Sequence, residues 1–129
     1  MVLVDTSIWV DFYQHPNSPH ADKLADLIRG HNRVVVCGII LQEILQGIRD
    51  NKSHTATKEQ LMKFPYLDMS RDVHLAAAAL YRSMRVKGIT VPSADTAIAA
   101  LAMHHHIPLY TKDDHFRVIA QYTKLDLYV

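Results

Sequence analysis

Asp5, Glu43, Asp95 and Asp113 lie far apart along this chain, and each stands near a strand end or a helix start. Brought together, such side chains repel one another, and the cluster needs a cation. Oxygen donors without a cysteine cluster suit Mg²⁺ or Mn²⁺ better than zinc. A divalent ion held by carboxylates beside a groove is a common device for hydrolysing phosphodiesters, because it activates water and stabilises charge developing at phosphorus. On this reading Asp5 and Asp95 are the principal ligands. Asp113 and Glu43 hold a second ion or orient its water. Thr6, Ser7 and Thr111 supply hydroxyls for a carboxylate, a water or a phosphate, although helix capping explains Thr6 and Ser7 equally well. His115 stands close enough to Asp113 to contact phosphate or move a proton. A solvated loop histidine is the competing explanation.

The elements that must position these residues alternate between strand and helix. Val2–Val4 is a short apolar strand, followed by a helix over Thr6–Gln14 and a turn over His15–Pro19. A helix over His20–Arg29 ends at Gly30, and the β-branched run Arg33–Cys37 is a buried strand. Helices follow over Ile39–Asp50 and Ser53–Lys63, then a marginal strand over Tyr66–Met69. Arg71–Lys87 and Ala94–His105 are helices, Pro108–Thr111 a strand, Asp114–Tyr122 a helix and Leu125–Val129 a last strand. Short apolar strands separated by helices indicate an α/β fold whose parallel sheet is covered on both faces. In such a sheet ligands bind outside the carboxyl ends of the strands. Asp5 directly follows the first strand, and Asp113 lies two residues beyond Pro108–Thr111. Glu43 lies just past the first turn of the helix after Arg33–Cys37. Asp95 opens the helix before Pro108–Thr111, so the same edge is expected to carry it.

Each acid has a simpler explanation when taken alone. Asp5 could cap the first helix, and Asp95 meets a helix dipole two residues after Ser93. Asp113 and Asp114 suit a turn before a helix. Glu43 borders an apolar stripe through Ile40 and Ile44, where an acid needs a partner. The weight comes from four such positions on one predicted edge.

The chain of 129 residues suits one domain and can bury a core without disulfides. Its single cysteine, Cys37, follows three valines and is expected in that core, which points to a reducing, cytoplasmic setting. No signal peptide or membrane span is expected. A net charge of +1 does not by itself indicate nucleic acid. The densest basic stretch, Arg82, Arg85 and Lys87, reads as a solvated helix face. His104, His105 and His106 point in different directions around a helix, so they cannot share one ion and instead form a polar helix end. Trp9, Phe12 and Tyr13 divide between the core and a face available to a partner.

Four segments together resemble a known family. They are Val-Leu-Val-Asp5-Thr6-Ser7, Gln42-Glu43-Ile-Leu-Gln-Gly47, Ala94-Asp95-Thr-Ala-Ile-Ala-Ala and Thr111-Lys-Asp113-Asp-His-Phe116. The chain is similar to PIN-domain ribonucleases, in particular the VapC-type toxins of toxin–antitoxin pairs. The resemblance implies a three-layer α/β/α sandwich with a central parallel sheet. It implies a Mg²⁺- or Mn²⁺-dependent endoribonuclease that cuts tRNA or ribosomal RNA, with Asp5, Glu43, Asp95 and Asp113 at the family's acidic positions. It also implies a homodimer and a VapB-like antitoxin that lays a helix in an apolar groove and directs a basic side chain into the acidic site. Many members carry a second Asp where this chain has His115. Asp114 is the candidate substitute, or that position is dispensable, and the number of ions stays open.

Two other classes compete. A phosphatase or phosphoacceptor domain would phosphorylate Asp5, but Ser7 stands where one such class needs a second Asp. A non-catalytic PIN-like module would capture RNA or a partner, yet concentrated negative charge gives an RNA-capture surface nothing.

Overall fold

The computed structural model describes residues 1–30 and 33–129. The elements run β1 (Val2–Val4), α1 (Thr6–Gln14), α2 (Pro19–Arg29), β2 (Val34–Cys37), α3 (Gly38–Gln46) and α4 (Asn51–Leu61), then β3 (Tyr66–Leu67), α5 (Arg71–Val86), α6 (Ser93–His104), β4 (Leu109–Tyr110) and α7 (Asp114–Tyr122). The four strands pair in the order β3-β2-β1-β4, all parallel. Val2 sits opposite Val34, and Leu3 pairs with both Val35 and Leu109. This is the central parallel sheet flanked by helices that the alternating pattern predicts.

Strands β1 and β2 are buried along their whole length, which is why they read as unbroken apolar runs. From β1 through β2 to β3 the chain steps one way across the sheet, and then it doubles back to β4. Right-handed crossovers therefore put α1–α4 on one face and the α5–α6 pair on the other. The reversal falls between β1 and β4, so their carboxyl ends flank the topological switch point where open α/β sheets bind ligands.

The most enclosed helix is α6, whose residues Thr96 through Ala102 are all buried. A helix apolar on every side belongs inside the molecule. Its C-terminus closes with two bonds that turn the chain back, His106 N–H to Met103 O at 3.2 Å and Ile107 N–H to Ala102 O at 3.1 Å. His106 takes the left-handed conformation, φ 53°, that this closure requires. The three histidines are all exposed, as a polar helix end predicts. Gly38 opens α3 where a Cβ would lie 2.7 Å from the hydroxyl of half-exposed Tyr66, a side-chain end that can move aside. Cys37 is fully buried and burial pushes its thiol up. Trp9 is fully buried and stacks on Tyr13, while Phe12 and Tyr13 are only partly covered.

Several boundaries differ from expectation. The expected helix Ile39–Asp50 stops at Gln46, with Gly47 closing it, and Asp50 instead caps α4 by accepting the Ser53 N–H at 2.8 Å. The apolar stripe through Ile48 carries on past a break that Gly47 and Asp50 impose. Ser18 caps α2 with Pro19 in the first turn, a favoured place for proline. The strand expected at Tyr66–Met69 shrinks to two residues. Leu125–Val129 contributes one bridge, Leu127 to Leu109, rather than a strand. Two backbone bonds make that bridge, Leu109 N–H to the Asp126 carbonyl and Tyr128 N–H to the Leu109 carbonyl, both at 2.9 Å.

Candidate active site

Strand β1 ends at Val4, and Asp5 turns the chain into α1 with extended backbone, φ −70° and ψ 156°. Its amide donates to the Tyr110 carbonyl at 2.9 Å, so the sheet ladder itself fixes the residue. Asp5 is 5% exposed. Its Oδ2 accepts from the Ser7 hydroxyl at 2.8 Å, the Thr111 hydroxyl at 2.9 Å and, more weakly, the Ser7 N–H at 3.4 Å. Both hydroxyl protons are thereby committed to one oxygen. The 3.4 Å approach of Ser7 Oγ to Thr111 Oγ1 is then a contact without a proton of its own. Among the described residues Oδ1 accepts no hydrogen bond. Burial raises the Asp5 carboxyl above its ordinary value, and the Ser7 and Thr111 hydrogen bonds offset only part of that.

The same hydroxyls organise the loop after β4. Thr111 Oγ1 accepts the Asp113 N–H at 3.0 Å, and Ser7 Oγ accepts the Lys112 N–H at 3.3 Å. Asp113 caps α7 by accepting the His115 N–H at 2.9 Å. Lys112 reaches across to buried Asp11 in α1 at 2.7 Å, and that hydrogen bond holds the Asp11 carboxyl below its ordinary value. This brace ties α1 to the loop carrying Thr111 and Asp113. Its sequence signal was an acid inside the apolar run Ile8–Tyr13, where an unpaired charge would be costly.

Asp95 lies in the first turn of α6, and the burial of that helix explains why its side chain is only 13% exposed. Burial first, then the charges of Asp113 and Asp5, push its carboxyl up to about 6, with His115 partly opposing. His115 Nδ1 stands 3.0 Å from Asp95 Oδ2 and 3.2 Å from Asp113 Oδ1. The Asp95 contact is close in distance but not aligned as a hydrogen bond, so Asp95 Oδ2 is a buried oxygen without a hydrogen-bond partner. Asp95, Asp113 and His115 each offer one ligand atom, all within 4.8 Å of one another.

Glu43 lies on α3 and accepts the Thr6 hydroxyl at 2.9 Å. It also lines a cleft of about 680 Å³ between α3, α5 and α6, whose wall includes Tyr81, Arg82 and Ser93. The alternation of elements therefore placed the acids correctly at one edge. Asp95, Asp113 and His115 form the tight cluster, Asp5 is electrostatically coupled to Asp95, and Glu43 stands at the cleft side, joined to the start of α1 through Thr6. Asp114 is not part of the group: its side chain is 86% exposed and faces Arg117 at 3.5 Å. Arg82, in the basic stretch read as a solvated face, is exposed and borders the cleft.

A divalent cation fits this donor set. The buried Asp95 oxygen lacks a partner, Asp5 keeps one oxygen unclaimed, and burial together with repulsion from Asp113 and Asp5 raises Asp95. A positive charge relieves all three.

The PIN domain family matches residues 2–122 of the chain. The ribonuclease VapC11 of Mycobacterium tuberculosis is 36% identical over 128 residues, covering 97% of this chain and 96% of its own. The VapBC2 complex of Rickettsia felis, bound to a promoter DNA fragment, superposes with a TM-score of 0.79 at 21% identity, over 99% of this chain and 98% of the other. VapC20 of M. tuberculosis, described as a toxin that cleaves the sarcin–ricin loop, superposes with a TM-score of 0.70 at 16% identity, over 98% and 99%. No helix among the described residues is long and apolar enough to cross a membrane. The acids at the switch point of a parallel sheet, the match over nearly the whole chain and the identity to VapC11 lead to one statement of kinship: the chain belongs to the PIN domain family, among its VapC ribonucleases.

Proposed function

We propose that this protein is a Mg²⁺- or Mn²⁺-dependent endoribonuclease that acts as the toxin of a VapBC-type pair. The observation that carries the reading is the buried, unpartnered oxygen of Asp95 beside Asp113 and near Asp5, on a chain whose relatives are ribonucleases. Asp5, Asp95 and Asp113 would hold the ion. When bound, it supplies activation of water and stabilisation of charge at phosphorus. The chain's own groups do the rest. Ser7 and Thr111 fix Asp5 through Oδ2 and leave Oδ1 for the site. Thr6 holds one Glu43 oxygen, so the other can orient a water or accept its proton. Arg82 at the cleft supplies a cation for RNA phosphate. Asp5 is locked by hydrogen bonds in a buried position, which suits a fixed ligand better than a phosphorylated nucleophile.

The substrate is a structured RNA of the translation machinery, tRNA or ribosomal RNA, so that cleavage inhibits translation. The protein works as a cytoplasmic homodimer held inactive by an antitoxin. The partly covered Phe12 and Tyr13 on α1 are apolar surface for that antitoxin.

The test compares wild type with Asp95→Asn on total structured RNA in Mg²⁺, Mn²⁺ or EDTA. Discrete products that require both metal and Asp95 are expected. A folded, metal-loaded wild type that cuts nothing would overturn the nuclease reading in favour of a binding module. Equal cutting by both proteins would remove Asp95 from the site.

A further inference from the structure

We propose that His115 is a direct nitrogen ligand of the divalent ion and biases this site toward Mn²⁺ over Mg²⁺. The inference rests on the reading of the acid cluster as a metal site and adds to it the identity of one ligand and its effect on ion choice.

The argument begins with separations. Neighbouring donors on an octahedral ion, with bonds near 2.1 Å, stand about 3 Å apart. His115 Nδ1 lies 3.0 Å from Asp95 Oδ2 and 3.2 Å from Asp113 Oδ1, so the three atoms have the spacing of adjacent corners around one ion. A direct hydrogen bond would show the same distance, so alignment decides between the two. The approach to Asp95 Oδ2 is close enough for His115 to favour the Asp95 charge, yet it misses hydrogen-bond alignment and leaves that buried oxygen without an aligned donor among the described residues. Donors that aim at a shared point beside the line joining them behave in this way.

The surroundings hold His115 in place for this role. Its backbone N–H is donated to Asp113 Oδ1 at 2.9 Å, which locks the first turn of α7 against the cluster. The ring is 47% exposed and its Nε2 has no protein partner among the described residues. Neutral imidazole can therefore ligate through Nδ1 while Nε2–H faces water. Asp114, the acid that could have kept the donor set all-oxygen, points away toward Arg117.

Ion choice follows from donor chemistry. Mg²⁺ favours oxygen donors and retained water, whereas Mn²⁺ accepts imidazole more readily. An oxygen at this position would favour Mg²⁺, and the nitrogen shifts the balance.

The test uses the full chain and the two metal ions alone. MnCl₂ and MgCl₂ are titrated calorimetrically into wild type, His115→Asp and His115→Asn, and pulsed electron paramagnetic resonance is recorded on each Mn²⁺-loaded protein. A ¹⁴N coupling from one imidazole is expected in wild type and absent from both variants. The ratio of Mn²⁺ to Mg²⁺ affinity is expected to fall by about tenfold or more in His115→Asp. Mn²⁺ bound without the coupling, a coupling that survives in the variants, or an unchanged ratio would overturn the assignment while leaving the metal site standing. Failure of wild type to bind Mn²⁺ at all would overturn the assignment and the metal-site reading together.

Discussion

Asp5 and Asp95 are both aspartates at helix starts, both mostly buried, and both raised above the ordinary carboxylate value. Their surroundings are opposites. Asp5 is built in: two hydroxyls and an amide converge on one oxygen, and its own amide is part of the sheet ladder. Asp95 is left open: burial and two neighbouring acids act against its charge, and its inner oxygen has no aligned donor. One carboxylate is positioned by the protein in advance. The other keeps an electrostatic deficit that a proton or a bound cation relieves. A site needs both kinds, because a cluster fully satisfied by protein has no reason to bind an ion, and one satisfied nowhere cannot hold its geometry.

The largest effect should appear in activity, where the two acids behave alike. Asp5→Asn and Asp95→Asn should each reduce RNA cleavage by about a hundredfold or more, measured as initial rates in Mn²⁺. Folding should separate them. The Asp95 carboxyl titrates at about 6 in the fold against an ordinary 3.8. Its contribution to stability is thus complete below about pH 4 and lost as pH rises through 6. In metal-free protein that loss is on the order of 3 kcal/mol, and chemical denaturation across pH 4–7 should show a slope in wild type that Asp95→Asn reduces, leaving the part that comes from Asp5. Asp95→Asn should therefore be the more stable protein at pH 7. Asp5→Asn should gain less than Asp95→Asn, because the Ser7 and Thr111 hydrogen bonds already offset part of the cost of burying its charge. Equal shifts in one direction would erase the distinction.

Smaller changes sharpen it. Thr111→Val removes a donor to Asp5 and the acceptor for the Asp113 N–H, and should cost about 1–2 kcal/mol by urea denaturation. Ser7→Ala removes the other hydroxyl donor to Asp5 but keeps the Ser7 N–H on that oxygen, and the Lys112 amide it also serves lies in an exposed loop where water can replace the hydroxyl, so it should cost less, about 0.5–1 kcal/mol.

This contrast was only partly legible in the sequence. That Asp5 and Asp113 share an edge follows from strands that end just before them, and β1 and β2 announce themselves as unbroken apolar runs. Asp95 was reachable through the alternation of elements, although two helices intervene between β3 and β4. Its desolvation was not reachable, because that depends on α6 being enclosed on every side. The choice between Asp114 and His115 was also hidden. Neighbouring helical residues point about 100° apart, and the cap at Asp113 decides which one turns inward. The Asp11–Lys112 brace joins residues 101 apart and carries only the signal of a misplaced acid. The two-residue β3 and the single bridge at Leu127 fall below the length at which alternation can be read.

The central position of β1 affects how a newly made chain behaves. The earliest made of these four strands has β2 on one side and β4 on the other, and β4 begins only at Leu109. The Thr111 hydroxyl that steadies Asp5 is 106 residues downstream. Contacts of such long range close late in folding. A nascent chain that has made its first hundred residues can form helices, but it has an unfilled slot beside β1 and neither Asp113 nor His115. Its acids cannot act as one centre until that slot is filled, so synthesis itself delays the moment at which the protein can act on RNA.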